Sequence, residues 1–276
     1  SRLRHPNAVS VYDSGRTRDG SPYYVMEYLD GLDLERLVAE QGPLSPARTI
    51  RVLGQVCGAL GELHALGLVH RDIKPANIML SSRAGESEVA KVVDYGLARA
   101  VGDDSDETSV ISGTPLYLAP EAVTHPASVD ARADIYALGA VAYFLLTGQH
   151  VFQGNSVVEV LGGHLFEAPV PPSERLAQPL PAALEALVLR CLAKDPAARP
   201  ASAEALLAEL SAVSDGLPAA GVPVAAPPCD FGAGRASSGY GQRVRLLAVA
   251  TTERYRSAGS SLGRRTASLA EERLAG

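Results

Sequence analysis

The chain has 276 residues, 46% of them hydrophobic, with a formal net charge of -6 and a sequence pI near 5.6. That length can bury a sizeable core in one or two domains, and the acidic balance gives no support to nucleic-acid binding. Cys57, Cys191 and Cys229 are odd in number and lack metal-ligand spacing, so they read as reduced thiols of a cytoplasmic protein; no signal peptide is visible and no apolar run nears the roughly 20 residues of a membrane span.

In chain order, Ala8 to Tyr12 and Tyr23 to Tyr28 read as strands around the turn Arg18-Asp19-Gly20-Ser21-Pro22. Ile50, Leu53, Val56, Cys57, Leu60 and Leu63 mark one face of a helix ending near Gly67. Ile78 to Leu80 and Ala90 to Val93 then read as short strands around a Ser/Gly/Glu turn. Helices with an apolar face follow at Ile135 to Leu146, Leu184 to Leu192 and Ala203 to Leu210. Gly148 closes the first as a left-handed cap, and Ser202 is the N-cap of the last, with an incomplete capping box because Ala205 follows. From Ser214 the composition shifts to Gly, Ala, Pro, Ser and Arg, which predicts a disordered tail or linker over 214–276. Val244 to Val249 could form a strand there, with nothing nearby in sequence to pair with it.

Between the first long helix and the strands stands His70-Arg71-Asp72-Ile73-Lys74-Pro75-Ala76-Asn77, followed later by Asp94-Tyr95-Gly96. Together these can serve phosphoryl transfer. Asp72 can orient and deprotonate a hydroxyl, Lys74 can neutralise charge on a transferring phosphoryl group, and Asn77 and Asp94 are hard oxygen ligands suited to magnesium. A turn-forming aspartate and ordinary surface polar residues are the plainer alternative, which the ordered pairing of two motifs argues against.

The two motifs resemble the catalytic loop and metal motif of protein kinases, with Tyr95 where that family usually has phenylalanine. Gly113-Thr114-Pro115-Leu116-Tyr117-Leu118-Ala119-Pro120-Glu121 resembles the end of a serine/threonine kinase activation segment, and Asp134-Ile135-Tyr136-Ala137-Leu138-Gly139 the start of the central large-lobe helix. With Phe152 and Pro171-Pro172-Ser173-Glu174, the likeness is to bacterial serine/threonine kinases of eukaryotic (Hanks) type. The resemblance implies an α+β, protein-kinase-like fold: a partial small β lobe over 1–28, an essentially complete helical large lobe over 29–213, and the tail. It implies ATP and Mg2+ as cofactors and protein Ser/Thr hydroxyls as acceptors.

By the same resemblance Asp72, Lys74 and Thr114 are catalytic, Asn77 and Asp94 bind metal, and Thr114 hydrogen-bonds toward Asp72 and Lys74. The carbonyl of Glu27 and the amide of Leu29 read adenine in Met26-Glu27-Tyr28-Leu29-Asp30-Gly31, and Asp33 lies near the ribose. His70 packs under the loop, Asp134 holds the loop backbone, and Glu121 pairs with a buried Arg199. Thr108, Ser109 and Ser112 are candidate phosphosites; Arg264-Arg265-Thr266-Ala267-Ser268 resembles a kinase substrate site. His125, His150 and His164 read as surface or packing residues.

No Gly-x-Gly-x-x-Gly precedes the loop, and Lys74 is the first lysine of the chain, so the strand lysine and helix glutamate of the family have no counterpart here. The expectation is a kinase incomplete at its N-terminus, with little or no activity as these 276 residues alone. The alternative is a pseudokinase-type binding module or an inactive gene remnant.

Overall fold

The computed structural model describes residues 3–18, 22–81, 88–95, 99–100, 114–176, 179–217 and 245–247. Gly96, Gly113, Thr108, Ser109, Ser112, Cys229, Arg264 to Ser268 and most of the two expected turns lie outside them. The chain divides into two compact units, one of residues 1–4, 9–30 and 232–276, the other of residues 5–8 and 31–231.

In the first unit β1 (Val11–Arg16) pairs antiparallel with β2 (Pro22–Met26), with an irregularity between Val11 and Asp13. The strand expected over Ala8 to Tyr12 is therefore displaced towards Arg16. Its apolar start is used otherwise, since Ala8 is buried and forms a lone parallel bridge with Val92, while the ladder falls on the polar residues Asp13 to Arg16, which carry no apolar alternation. The second strand ends at Met26, short of Tyr28, and the amide of Glu27 turns to the carbonyl of Ser10 at 3.0 Å.

The second unit begins with β3 (Leu32–Asp33) and α1 (Leu34–Gln41), which sequence periodicity did not reveal. Asp33 caps α1 by accepting from the amide of Arg36 at 2.8 Å. Next comes α2 (Pro46–Ala65), started by Ser45 as N-cap and Pro46 in the first turn, and followed by Gly67 at φ 73°. After β4 (Leu68–Val69) come β5 (Ile78–Ser81) and β6 (Val89–Val92), close to the expected spans; they form an antiparallel sheet in the order β3-β5-β6. A short β7 (Arg99–Ala100) pairs with β4.

The remainder is helical: α3 (Pro120–Thr124), α4 (Arg132–Thr147), α5 (Val157–Phe166), α6 (Pro172–Arg175), α7 (Ala182–Cys191) and α8 (Ala203–Asp215). Every residue of α4 after Arg132 is buried, the pattern of a helix enclosed on all sides. It packs on α2 and α7, with Tyr136, Leu138, Tyr143 and Leu145 fully buried, each such side chain stabilising by roughly 1.5–3 kcal/mol. At Gly139 a Cβ would come within 2.6 Å of the Cys191 Cβ, so glycine is what lets α4 and α7 approach. Gly148 ends α4 at φ 71°, its amide bonded to the carbonyl of Phe144 at 2.8 Å, as expected. Ser202 caps α8 through the amide of Ala205, and α8 runs to Asp215, beyond the expected end of the folded part.

One expectation about the C-terminal segment needs correction. Within the first unit, β8 (Arg245–Leu247) pairs antiparallel with β2, giving a sheet ordered β1-β2-β8. The strand expected to lack a partner finds one because its neighbour is supplied by a distant part of the chain, which local composition does not reveal.

Candidate active site

The loop from His70 to Asn77 is held from below by one carboxylate. Asp134, in the first turn of α4 and 1% exposed, accepts from the amide of His70 at 2.8 Å and from the amide of Arg71 at 2.9 Å. His64, in the last turn of α2, meets the same carboxylate at 2.8 Å. These bonds maintain Arg71 at φ 66°, a left-handed conformation costing a β-carbon residue about 1–3 kcal/mol. His70 is fully buried, and burial pulls its pKa below the usual range despite the nearby carboxylates of Asp134 and Asp72. As a neutral ring it accepts from the amide of Asp72 through Nδ1 at 3.3 Å and lies 5.1 Å from the Tyr95 ring.

This scaffold presents Asp72, 5% exposed, as the hub of a polar cluster. Its Oδ2 accepts from Lys74 Nζ at 2.6 Å and from Asn77 Nδ2 at 2.9 Å. Its Oδ1 accepts from the Thr114 hydroxyl at 3.1 Å, and that hydroxyl accepts from Lys74 at 2.9 Å. Lys74, Asn77 and Thr114 are thus all within hydrogen-bonding distance of the Asp72 carboxylate. Oδ1 retains acceptor capacity after the Thr114 bond, so the carboxylate can still take a proton from a hydroxyl brought to it.

Asn77 also donates to the carbonyl of Asp72 at 2.9 Å, an atom that can only accept. The amide orientation is thereby fixed, and Oδ1 of Asn77 faces away from Asp72 with no hydrogen bond among the described residues. A hard cation needs such an oxygen. The carbonyl of Asn77 accepts from the amide of Val93 at 2.9 Å, tying the loop to the residue before Asp94. Asp94 adopts φ 61°, the second of two non-glycine residues with positive φ among the described residues. An oxygen-donor pair from Asn77 and Asp94 fits magnesium, which is held by one or two protein groups together with phosphate oxygens and needs no larger protein cage. No cluster of three or more His, Cys, Asp or Glu suited to a metal occurs among the described residues.

The expected nucleotide residues have local roles as well. One oxygen of Asp33 is used in capping α1, leaving the other for further bonding. In the first unit, Glu27 Oε1 accepts from the amide of Ser10 at 2.8 Å, and the amide of Leu29 forms no hydrogen bond among the described residues.

Beyond Thr114 the chain is anchored by a buried ion pair. Arg199, whose side chain is fully buried, makes a two-bond fork to Glu121 at 2.6 and 2.8 Å. It also donates to the carbonyls of Ala193, Arg132 and Lys194, and its guanidinium stacks 4.8 Å from the Tyr136 ring centroid. The sequence reading missed a neighbouring cluster. Tyr136 and His164 Nδ1 meet at 2.8 Å, and Lys194 donates to the carbonyls of Gly163 and His164 while lying 4.5 Å over Phe152. Burial, followed by the Lys194 charge, pushes the His164 pKa down to about 4. His64 was missed too. Its partner Asp134 lies 70 residues away, so no local pattern signals it. His150 packs flat on Phe144 and meets the Tyr117 hydroxyl, and His125 is exposed, in keeping with packing and surface roles.

The sequence model of the protein kinase domain matches residues 1–210. The chain is 42% identical over 219 residues to the serine/threonine-protein kinase Pkn3 of Myxococcus xanthus, covering 77% of this chain and 40% of that protein. It is 44% identical over 222 residues to the serine/threonine-protein kinase PknB of Mycobacterium tuberculosis, covering 78% and 34%. Against PknB of Mycobacterium leprae it is 42% identical over 221 residues, covering 78% and 35%. The chain therefore spans between about a third and two fifths of the length of these relatives.

Proposed function

The chain belongs to the protein kinase family, and from that premise we propose that it is the catalytic part of an ATP-dependent serine/threonine protein kinase of bacterial signal transduction. The observation that carries the reading is the Asp72 carboxylate with Lys74, Asn77 and Thr114 all bonded to it. Asp72 aligns the acceptor hydroxyl and takes its proton. Lys74, already positioned on Asp72 and Thr114, offsets charge on the phosphoryl group in flight. Thr114 ties the start of the Pro115–Tyr117 turn to the catalytic carboxylate, which places the acceptor-binding segment beside the base. Asn77 and Asp94 would hold magnesium, which would supply positive charge to offset that of the ATP phosphates. Glu27, Leu29 and Asp33 are assigned to the adenine and ribose. Partners are ATP and proteins with Ser/Thr acceptors, not nucleic acid, and this part acts in the cytoplasm, whether or not a membrane anchor lies outside these 276 residues. No helix among the described residues is long and apolar enough to cross a membrane.

A phosphoryl-transfer assay on the full-length gene product tests this, using ATP, magnesium and a serine/threonine-rich protein acceptor. Label should appear on serine and threonine, and Lys74→Ala should reduce it by about 10²-fold or more. Incorporation on tyrosine alone, or full activity in Lys74→Ala, contradicts the assignment.

A further inference from the structure

We propose that His150 is a positioning residue for the acceptor: it latches Tyr117, and through Tyr117 the turn that carries the acceptor, onto the end of α4. The Tyr117 hydroxyl and His150 Nδ1 lie 3.2 Å apart, with the two rings edge to face at 5.8 Å. The imidazole also stacks on Phe144 of α4, its centroid 5.2 Å away and its plane 12° from parallel. Burial pulls the His150 pKa below its usual range, opposed by the charge of Glu35, and pushes the Tyr117 phenol up. At neutral pH the phenol is therefore a donor and Nδ1 of the neutral ring an acceptor.

The imidazole is itself held in place. Gly148 ends α4 at φ 71°, and the turn that follows is bonded throughout. Thr147, 6% exposed, donates to the carbonyl of Tyr143 at 2.7 Å and accepts from the amide of Gln149 at 3.1 Å, and the Gln149 side chain accepts from Arg175 at 3.3 Å. A ring fixed by stacking and by a bonded turn loses little further freedom on taking up the hydroxyl. From Tyr117 a continuous line of bonds reaches the catalytic carboxylate. Its amide donates to the carbonyl of Thr114 at 3.0 Å, and the Thr114 hydroxyl donates to Asp72 at 3.1 Å. The following bond within the Pro115–Tyr117 turn, from the amide of Leu118 to the carbonyl of Pro115, is long at 3.4 Å, so the turn depends on tertiary contacts. Losing the latch lowers the fraction of molecules whose turn is closed against the base, which raises the acceptor KM. Bound acceptor restores the closed turn, so kcat at saturation is kept. That consequence rests on the proposed function; the latch itself does not.

Three variants of the full-length gene product test the latch. His150→Phe keeps the stack on Phe144 and removes Nδ1, Tyr117→Phe removes the hydroxyl, and His150→Asn keeps a hydrogen-bonding atom near the Nδ1 position. In amide exchange, His150→Phe and Tyr117→Phe should each speed the Tyr117 amide by about fivefold while α2 and α4 keep their protection. The double variant should do no more than either alone, because both remove the same bond. In phosphoryl transfer to dephosphorylated casein, each should raise the acceptor KM by about threefold or more, with kcat and the KM for ATP within about twofold of the unsubstituted protein. His150→Asn should restore the acceptor KM. Unchanged exchange at Tyr117, additive effects in the double variant, or a fall in kcat with the acceptor KM unchanged would each overturn the proposal. An unsubstituted protein that transfers no phosphate would contradict the kinase assignment and leave amide exchange to decide the latch, so the two fail separately.

Discussion

A carboxylate bonded at once to an ammonium, an amide and a hydroxyl cannot rotate without losing all three, and Asp72 is held in this way. This group was legible in the sequence because His70 to Asn77 are contiguous, so spacing alone states most of the geometry. Thr114 and Arg199 were reached only through the family resemblance, since their partners lie 42 and 78 residues away. Two residue-scale predictions follow from burial. Replacing Glu121 by alanine leaves the fully buried Arg199 side chain with carbonyl acceptors but no counter-charge, and should cost about 3 kcal/mol or more in a denaturant titration. The Tyr95 hydroxyl is buried with no partner among the described residues, and burial pushes its pKa up. Tyr95→Phe removes an unmet hydrogen bond and restores the residue usual in the family. It should therefore raise stability by about 1 kcal/mol in the same titration; an equal loss would show that the hydroxyl is satisfied.

Among the elements, those with a clear apolar stripe were readable and those fixed by distant contacts were not. α5 is a case in point. Val157, Val158, Val160, Gly162 and Gly163 are poor helix formers, and the helix is held by tertiary contacts from Tyr136 and Lys194 that no local pattern shows. The signal that could have found it is Ser156 followed by Glu159, an N-cap with an acid three residues on. This attachment makes the molecule acid-sensitive. His164 has a pKa near 4 in the fold against about 6.5 unfolded, so between these values the unfolded chain binds the extra proton. The stability His164 contributes is complete above about pH 6.5 and is lost as the pH falls towards 4, by about 2–3 kcal/mol at most. His70, also lowered, acts in the same direction. Denaturant titrations at pH 7 and pH 4.5 should show a smaller stability difference in His164→Gln than in the unsubstituted chain. An identical difference would remove His164 from the account.

At the scale of the whole molecule, chemistry and composition point to different conclusions about these 276 residues. The loop from His70 to Asn77 is assembled and bonded, yet no lysine stands ahead of Lys74 in these 276 residues. The 276-residue chain alone should therefore transfer little or no phosphate. Robust, magnesium-dependent transfer by it, abolished by Asp94→Ala, would mean that other residues replace the strand lysine. The helices α2, α7 and α8 were legible because their apolar faces recur at helical spacing; α1 and α5 were not. The third strand of the N-terminal sheet was not, because its two partners are separated by most of the chain.

The central claim is that Asp72 is the base of a phosphoryl-transfer site, and the most direct measurement compares Asp72→Asn with the unsubstituted full-length gene product. Asparagine keeps the size and much of the hydrogen bonding but cannot take the proton. Transfer to serine and threonine should fall by about 10³-fold or more, with the thermal transition and the affinity for ATP and magnesium little changed. Near-normal turnover by Asp72→Asn in an equally folded protein would contradict the account.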